Sequence, residues 1–202
     1  MKETLKIFST EIQDSQVANI YSKNYHSFHT DYLEMQREWL YRAYNQFQDL
    51  DKYFILISLV HKTMEAYGDY MLSYSWEEYY KPREIELKKF SIVDIAKELD
   101  ISKETARRKI LELEKTGVLK KNKKSLTIQR DGFEFQKPSV AIRNISKLLS
   151  TICKKLFENK LINNKISTDE FIYLIKKNYT QCWKYFLEFQ ITFMTEFKRI
   201  FF

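Results

Sequence analysis

Chain breakers are scarce in this 202-residue sequence, which has three glycines and two prolines. Each would interrupt a helix, so their scarcity makes long helices the default and the chain mainly α. Whole classes of site disappear with them. Unclustered glycines provide neither a loop that cradles phosphate nor a sharp nucleophile turn. No enzyme and no cofactor are therefore expected. Cysteine is equally sparse: Cys153 and Cys182 stand outside any Cys-x-x-Cys or Cys/His ligand spacing and read as small core hydrophobes, with a redox switch as the alternative. His26 and His29, near Asp31 and Glu34, have a spacing open to metal, but beside an aromatic stripe they read as solvated or hydrogen-bonded side chains. No apolar run reaches the roughly 18 residues that span a bilayer; the longest, "YFILISLV" from Tyr53 to Val60, ends at His61. "MKETLKIFSTEIQD" lacks the apolar core of a secretory signal, so a cytoplasmic location and no membrane partner are expected.

What remains is hydrophobic, at 44% of residues, and unevenly charged. Residues 1–80 hold 7 Lys/Arg against 12 Asp/Glu, residues 81–130 hold 15 against 8, and residues 131–202 hold 12 against 7. The differences are −5, +7 and +5, which sum to the overall +7. A polyanion should meet the middle and the end of the chain.

The breakers also divide the sequence. Pro82, Gly117, Gly132 and Pro138 fall together and only Gly68 lies apart. We expect a helical N-terminal arm with a central buried helix over 1–81, a compact module over 82–137, and a C-terminal helical arm over 138–202. In the first arm Tyr21, Tyr25, Phe28, Tyr32, Met35 and Trp39 recur at spacings of 4, 3, 4, 3, 4, one stripe of a single helix. A second helix should begin near Asp49 or Asp51 and run through "KYFILISLVHKTMEAY", apolar on nearly every side and so buried all round. In the last arm Ile145, Leu149, Ile152 and Leu156 line one helix. "NKLINNKIS" makes a loop, and Ser167 with Glu170 forms a capping box. The final helix carries Ile175, Tyr179, Cys182, Phe186, Phe189 and Phe193 as one stripe, extended by Phe197 and Ile200. That is more apolar surface than a small monomer easily covers, and pairing of two subunits would cover it, as would packing on the N-terminal stripe. The tyrosine-rich helices are compatible both with plain core and with a pocket for a small-molecule effector.

In the module, Ser91 opens "SIVDIAKEL", whose buried stripe is Ile92, Ile95, Ala96 and Leu99, with Asp94 favourably placed at the third helical position. A short turn leads to Ser102, the cap of a second helix. Successive 100° steps put Ala106, Ile110, Leu113 and Gly117 on its core side, with Arg108 opposite and Thr105 and Arg107 on the flanks. A helix, a tight turn and a helix crossing at a small residue make a helix-turn-helix. Gly117 should terminate the second helix. Two short strands, Val118–Lys120 and Leu126–Gln129, should then flank a tip bearing Lys121, Lys123 and Lys124, a concentration of like charge suited to nearby phosphates.

These residues resemble a known family. "FSIVDIAKELDISKETARRKILELEKTGVLKKNKKSLTI", Phe90 to Ile128, looks like the winged helix-turn-helix domain of bacterial and archaeal transcriptional regulators. Its position between helical arms is similar to the MarR-like regulators, whose terminal helices pair two subunits, although the Asp-x-Arg element of their longer wing is missing here. The resemblance implies a fold of winged helix-turn-helix module with a small β-hairpin wing, flanked by helical arms. It further implies a homodimer on double-stranded DNA, with Ser102, Lys103, Thr105, Arg107 and Arg108 as recognition-helix contacts and Lys121, Lys123 and Lys124 as wing contacts to the backbone. Winged helices also serve as protein–protein modules or structural adaptors without DNA binding, which is the alternative. Single-stranded RNA is less suited, because no aromatic follows Phe90 as far as Ile128.

Overall fold

A computed structural model describes residues 12–67, 74–87, 91–122, 125–130 and 138–201. Gly68, Phe90 and Gly132 lie outside the described residues. The chain forms two compact units: one takes in the residues to Leu40 and Pro138–Leu174, the other Tyr41–Lys137 and everything from Ile175.

The first unit is built on α1 (Asp14–Lys23), the N-terminal part of α2 (Tyr25–Phe47), α7 (Ser139–Glu158) and the start of α8 (Thr168–Lys177). The single N-terminal helix expected from the aromatic stripe is broken once. Asn24 folds its side-chain amide back on the Ile20 carbonyl at 2.9 Å and ends α1, a local competition that a count of apolar positions does not see. The stripe otherwise holds, with Phe28, Met35 and Trp39 buried, but Tyr25 is 48% exposed. Ile20, Phe28, Cys153, Leu156 and Phe171 share a core with Ile162 and Ile166. The last two come from the connecting loop, so "NKLINNKIS" closes the core as well as linking two helices. Asp31 ties α2 to α7 by accepting from Thr151 Oγ1 at 3.1 Å and pairing with Lys147 at 2.9 Å. Ser167 caps α8 as expected, its Oγ accepting the Glu170 amide.

The second unit is organised round α3 (Leu50–Tyr67), which packs on α9 (Tyr179–Phe201), α6 (Lys103–Lys115) and α5 (Ile92–Glu98). Tyr53, Phe54, Ile55, Ile57, Leu59 and Met64 are all buried, as an all-round apolar helix requires. Asp49 caps α3, its Oδ1 accepting the Lys52 amide at 3.2 Å.

Helix α9 departs from the expected stripe. Its buried face is Tyr179, Trp183, Leu187, Ile191 and Met194, whereas Phe189 is 41%, Phe197 39% and Ile200 70% exposed. Ile175 and Tyr179 are buried, but α8 stops at Lys177 and α9 begins at Tyr179, so a stripe counted across the break changes face. Helix α9 therefore carries two apolar faces, one in the core and one turned outward.

A short helix α4 (Trp76–Tyr80) and strands β1 (Glu84–Leu87), β2 (Leu119–Lys121) and β3 (Leu126–Gln129) complete the unit. The sheet is antiparallel in the order β1-β3-β2, with Ile85 opposite Ile128 and Leu119 opposite Ile128 on its other side. Arg130 closes its base, the guanidinium lying 4.4 Å from the Tyr79 ring centre and 4.8 Å from that of Tyr80. The expected hairpin is thus the outer part of a three-stranded sheet.

Candidate nucleic-acid interface

Helices α5 and α6 are both capped from the sequence positions expected. Ser91 Oγ accepts the amides of Val93 and Asp94, and Ser102 Oγ accepts the amide of Thr105 at 2.9 Å. Between them the turn is held by a Schellman pair, Ile101 N–H to Ala96 carbonyl at 3.0 Å and Asp100 N–H to Lys97 carbonyl at 3.3 Å. Asp100 sits at φ 49°, where turns of this kind favour glycine. The same pair ends α6, with Val118 N–H on Leu113 carbonyl and Gly117 at φ 76°.

Ala106, Ile110 and Leu113 are buried, which fixes the rotation of α6. Ser102, Lys103, Arg107 and Arg108 are exposed and Thr105 is half-buried, its hydroxyl 2.9 Å from that of Ser102. The arginine side chains are 62% and 64% exposed. Each has a loose glutamate neighbour on its own helix, Glu104 at 3.8 Å from Arg107 and Glu112 at 3.9 Å from Arg108. Exposed pairs of this length hold a side chain weakly and yield readily to phosphate or a base edge. Leu111, 42% exposed, is the one apolar side chain of α6 turned outward among the described residues.

On the wing, Asn122 N–H donates to Ser125 carbonyl at 2.8 Å, closing the hairpin, and Lys120 and Lys121 are exposed beside it. Lys123 and Lys124 lie outside the described residues. His26 and His29, on α2, have a local contact: His29 Nδ1 lies 3.0 Å from the His26 carbonyl. No cluster of three His, Cys, Asp or Glu side chains arranged for a metal occurs among the described residues.

A polar lock that the sequence does not announce holds α6 in place. Lys109 Nζ pairs with Asp49 at the start of α3, and Lys52 pairs with Glu112 at 3.0 Å. Burial raises the Asp49 carboxyl, but the hydrogen bond from Lys109, the Lys52 amide and the two ammonium charges outweigh it and hold the group below its usual value. The hydrogen bond to Asp49 raises Lys109 correspondingly. Lys109 therefore serves the packing of α6 and leaves Lys103, Arg107 and Arg108 as the outward cations of its N-terminal half, with Lys115 exposed at the far end. Nothing in local spacing joins Asp49 to Lys109, sixty positions apart.

Strand, helix, turn, helix and a two-stranded wing in this order make residues 84–129 a winged helix-turn-helix. Residues 86–130 match the family of the DeoR-like helix-turn-helix domain, which covers the module and leaves both flanking regions outside it. No curated protein and no solved structure matches the chain. The domain match supports a DNA-binding transcription regulator as the class to which this protein is assigned.

Proposed function

We propose that the protein is a sequence-specific, homodimeric regulator of transcription that lays α6 in the major groove and its wing along the backbone. The observation that carries this reading is the outward face of α6. Arg108 projects from the side opposite Ala106, Ile110 and Leu113 and Arg107 from its flank, both exposed at the N-terminal half of the helix that approaches base edges in such motifs. Arginine suits bidentate contact with guanine, Ser102, Lys103 and Thr105 stand at the same end, and Lys121, with Lys123 and Lys124 close by in sequence, would meet phosphates.

The second apolar face of α9 supports pairing of two copies, with Tyr185 62% and Ile200 70% exposed along it. Two-fold symmetry would set the recognition helices about 34 Å apart, one DNA turn. Terminal helices that pair subunits are also what the MarR-like resemblance implies. No helix among the described residues is long and apolar enough to cross a membrane, which suits action on DNA in the cytoplasm.

One observation favours a second reading, a winged helix that binds a protein: Leu111 and Val93, 42% and 41% exposed, put apolar surface on the module. Selection of bound genomic fragments at physiological salt, run with the wild type and with Arg107→Ala/Arg108→Ala, separates the two. A near-palindromic motif enriched by the wild type and lost in the variant supports DNA reading; enrichment by neither supports the protein-binding module.

A further inference from the structure

Away from the recognition face, α3, the C-terminal end of α5 and α9 enclose a cleft of about 330 Å³, at the lower end of the range for small-molecule sites. Its walls are acidic: Glu65, Glu98, Glu188 and Glu196 line it together with His61 and Ile191. Two of the carboxylates are already engaged. Glu98 accepts from Ser58 and pairs with Lys62 at 3.1 Å, and Glu196 has Arg199 at 3.7 Å. The other two are not balanced. Glu188 has no ion pair among the described residues, and the neighbour of Glu65 is His61, at 3.9 Å, too far for a hydrogen bond.

His61 is the second, independent observation. It is only 6% exposed, yet neither ring nitrogen has a hydrogen-bond partner. Buried polar side chains in folded proteins are nearly always partnered, so an orphaned imidazole in the wall of a cleft marks a place for a donor from outside. An apolar occupant would leave the imidazole unsatisfied, and an anion would face four carboxylates. A bare metal ion lacks a ligand cluster here among the described residues. An ammonium or guanidinium group supplies N–H donors and positive charge together, and Ile191 offers its carbon chain an apolar surface.

We propose that this cleft binds a small organic cation, an amine or guanidinium compound, which donates an N–H to His61 and is neutralised by Glu65 and Glu188. Thr195, also in the wall, donates to the Glu98 carbonyl at 3.2 Å, so an occupant would touch the last residue of the first module helix. The site itself does not depend on the DNA-binding reading.

The test is calorimetric titration of the full chain, free of nucleic acid and at physiological ionic strength, with 1,4-diaminobutane and with agmatine. The neutral 1,4-butanediol and Mg²⁺ serve as controls. Expected is saturable binding of at least one cation, none of the diol, and a loss of tenfold or more in Glu188→Gln, an exposed position whose exchange leaves the fold intact. The protein has three histidines, of which His61 lines the cleft, so the His61 ring resonances should shift on titration. Absence of binding by both cations, equal affinity in Glu188→Gln, competition by millimolar Mg²⁺, or an unmoved His61 resonance overturns the proposal.

Discussion

Replacing Asp49 by alanine removes two interactions at once, and the structure sets their sizes. Oδ1 caps α3 through the Lys52 amide, a contact of about 1 kcal/mol. The other oxygen holds Lys109, with side chains 19% and 14% exposed, between a surface pair at about 0–1 kcal/mol and a fully buried one whose breakage costs about 3–5 kcal/mol. Discounting for the remaining solvent, about 1–2 kcal/mol belongs to this pair, and Asp49→Ala should lose about 2–3 kcal/mol in urea unfolding at pH 7. Asp49→Asn keeps a capping oxygen and should lose about 1–2 kcal/mol, and a cycle with Lys109→Met should show coupling near 1 kcal/mol. The pH dependence has a definite sign. The folded Asp49 carboxyl is held low, so its contribution is present above the ordinary carboxylate value of about 4 and is lost as pH falls through the folded value. Lys109 is held high, so its contribution is present below about 10.5 and is lost as pH rises through the folded value. The gap between wild type and Asp49→Asn should therefore be flat near neutrality and close in acid. Equal stability of the two at pH 7, or coupling under about 0.3 kcal/mol, would refute the lock.

Three backbone positions, two surface residues and two cysteines provide further checks. Asp100 and Lys160 occupy φ 49° and 59°, so Asp100→Gly and Lys160→Gly should each stabilise by up to about 1 kcal/mol in the same unfolding assay. Gly117→Ala should destabilise by about 1–2 kcal/mol from backbone strain alone, since an added Cβ meets nothing within 4 Å. Tyr185→Glu/Ile200→Glu, on the outward face of α9, should convert a dimer to a folded monomer in sedimentation; a persistent dimer would move the interface elsewhere. Burial pushes the Cys182 thiol up to about 11 and also raises the buried Cys153, so neither should react with a thiol reagent at neutral pH until the protein is denatured.

The module was legible because its signals are local. Ser91 and Ser102 cap their own helices, Ala106, Ile110 and Leu113 repeat at helical spacing, and Gly117 supplies the one positive-φ glycine of the described chain. What stayed hidden depends on distant partners or on competing patterns. Strand β1 is four residues, "EIEL", too short to announce itself, and its partner β3 lies some forty positions later. Two apolar patterns interleave on α9, so spacing alone favours its outward face over the buried one. Packing against α3 and α4 selects Trp183, Leu187 and Ile191 as the buried set. Periodicity ran straight through Asn24, and through the helix break before Tyr179, because a one-residue break barely disturbs the spacing on either side. Arg107 and Arg108 could be placed on the outward face from the wheel alone, but the division of labour with Lys109 needed Asp49 in view.

The central claim is that the outward face of α6 reads DNA while the wing holds its backbone. The most direct test is affinity for the selected DNA fragment and for a scrambled one, measured from low to physiological salt, for wild type, Arg107→Ala, Arg108→Ala and Lys121→Ala. At least one arginine variant should lose about 1–3 kcal/mol on the selected fragment and little on the scrambled one. Lys121→Ala should weaken both alike and flatten the slope of log affinity against log salt by about 1. Uniform losses in all three variants, or none, would contradict the account.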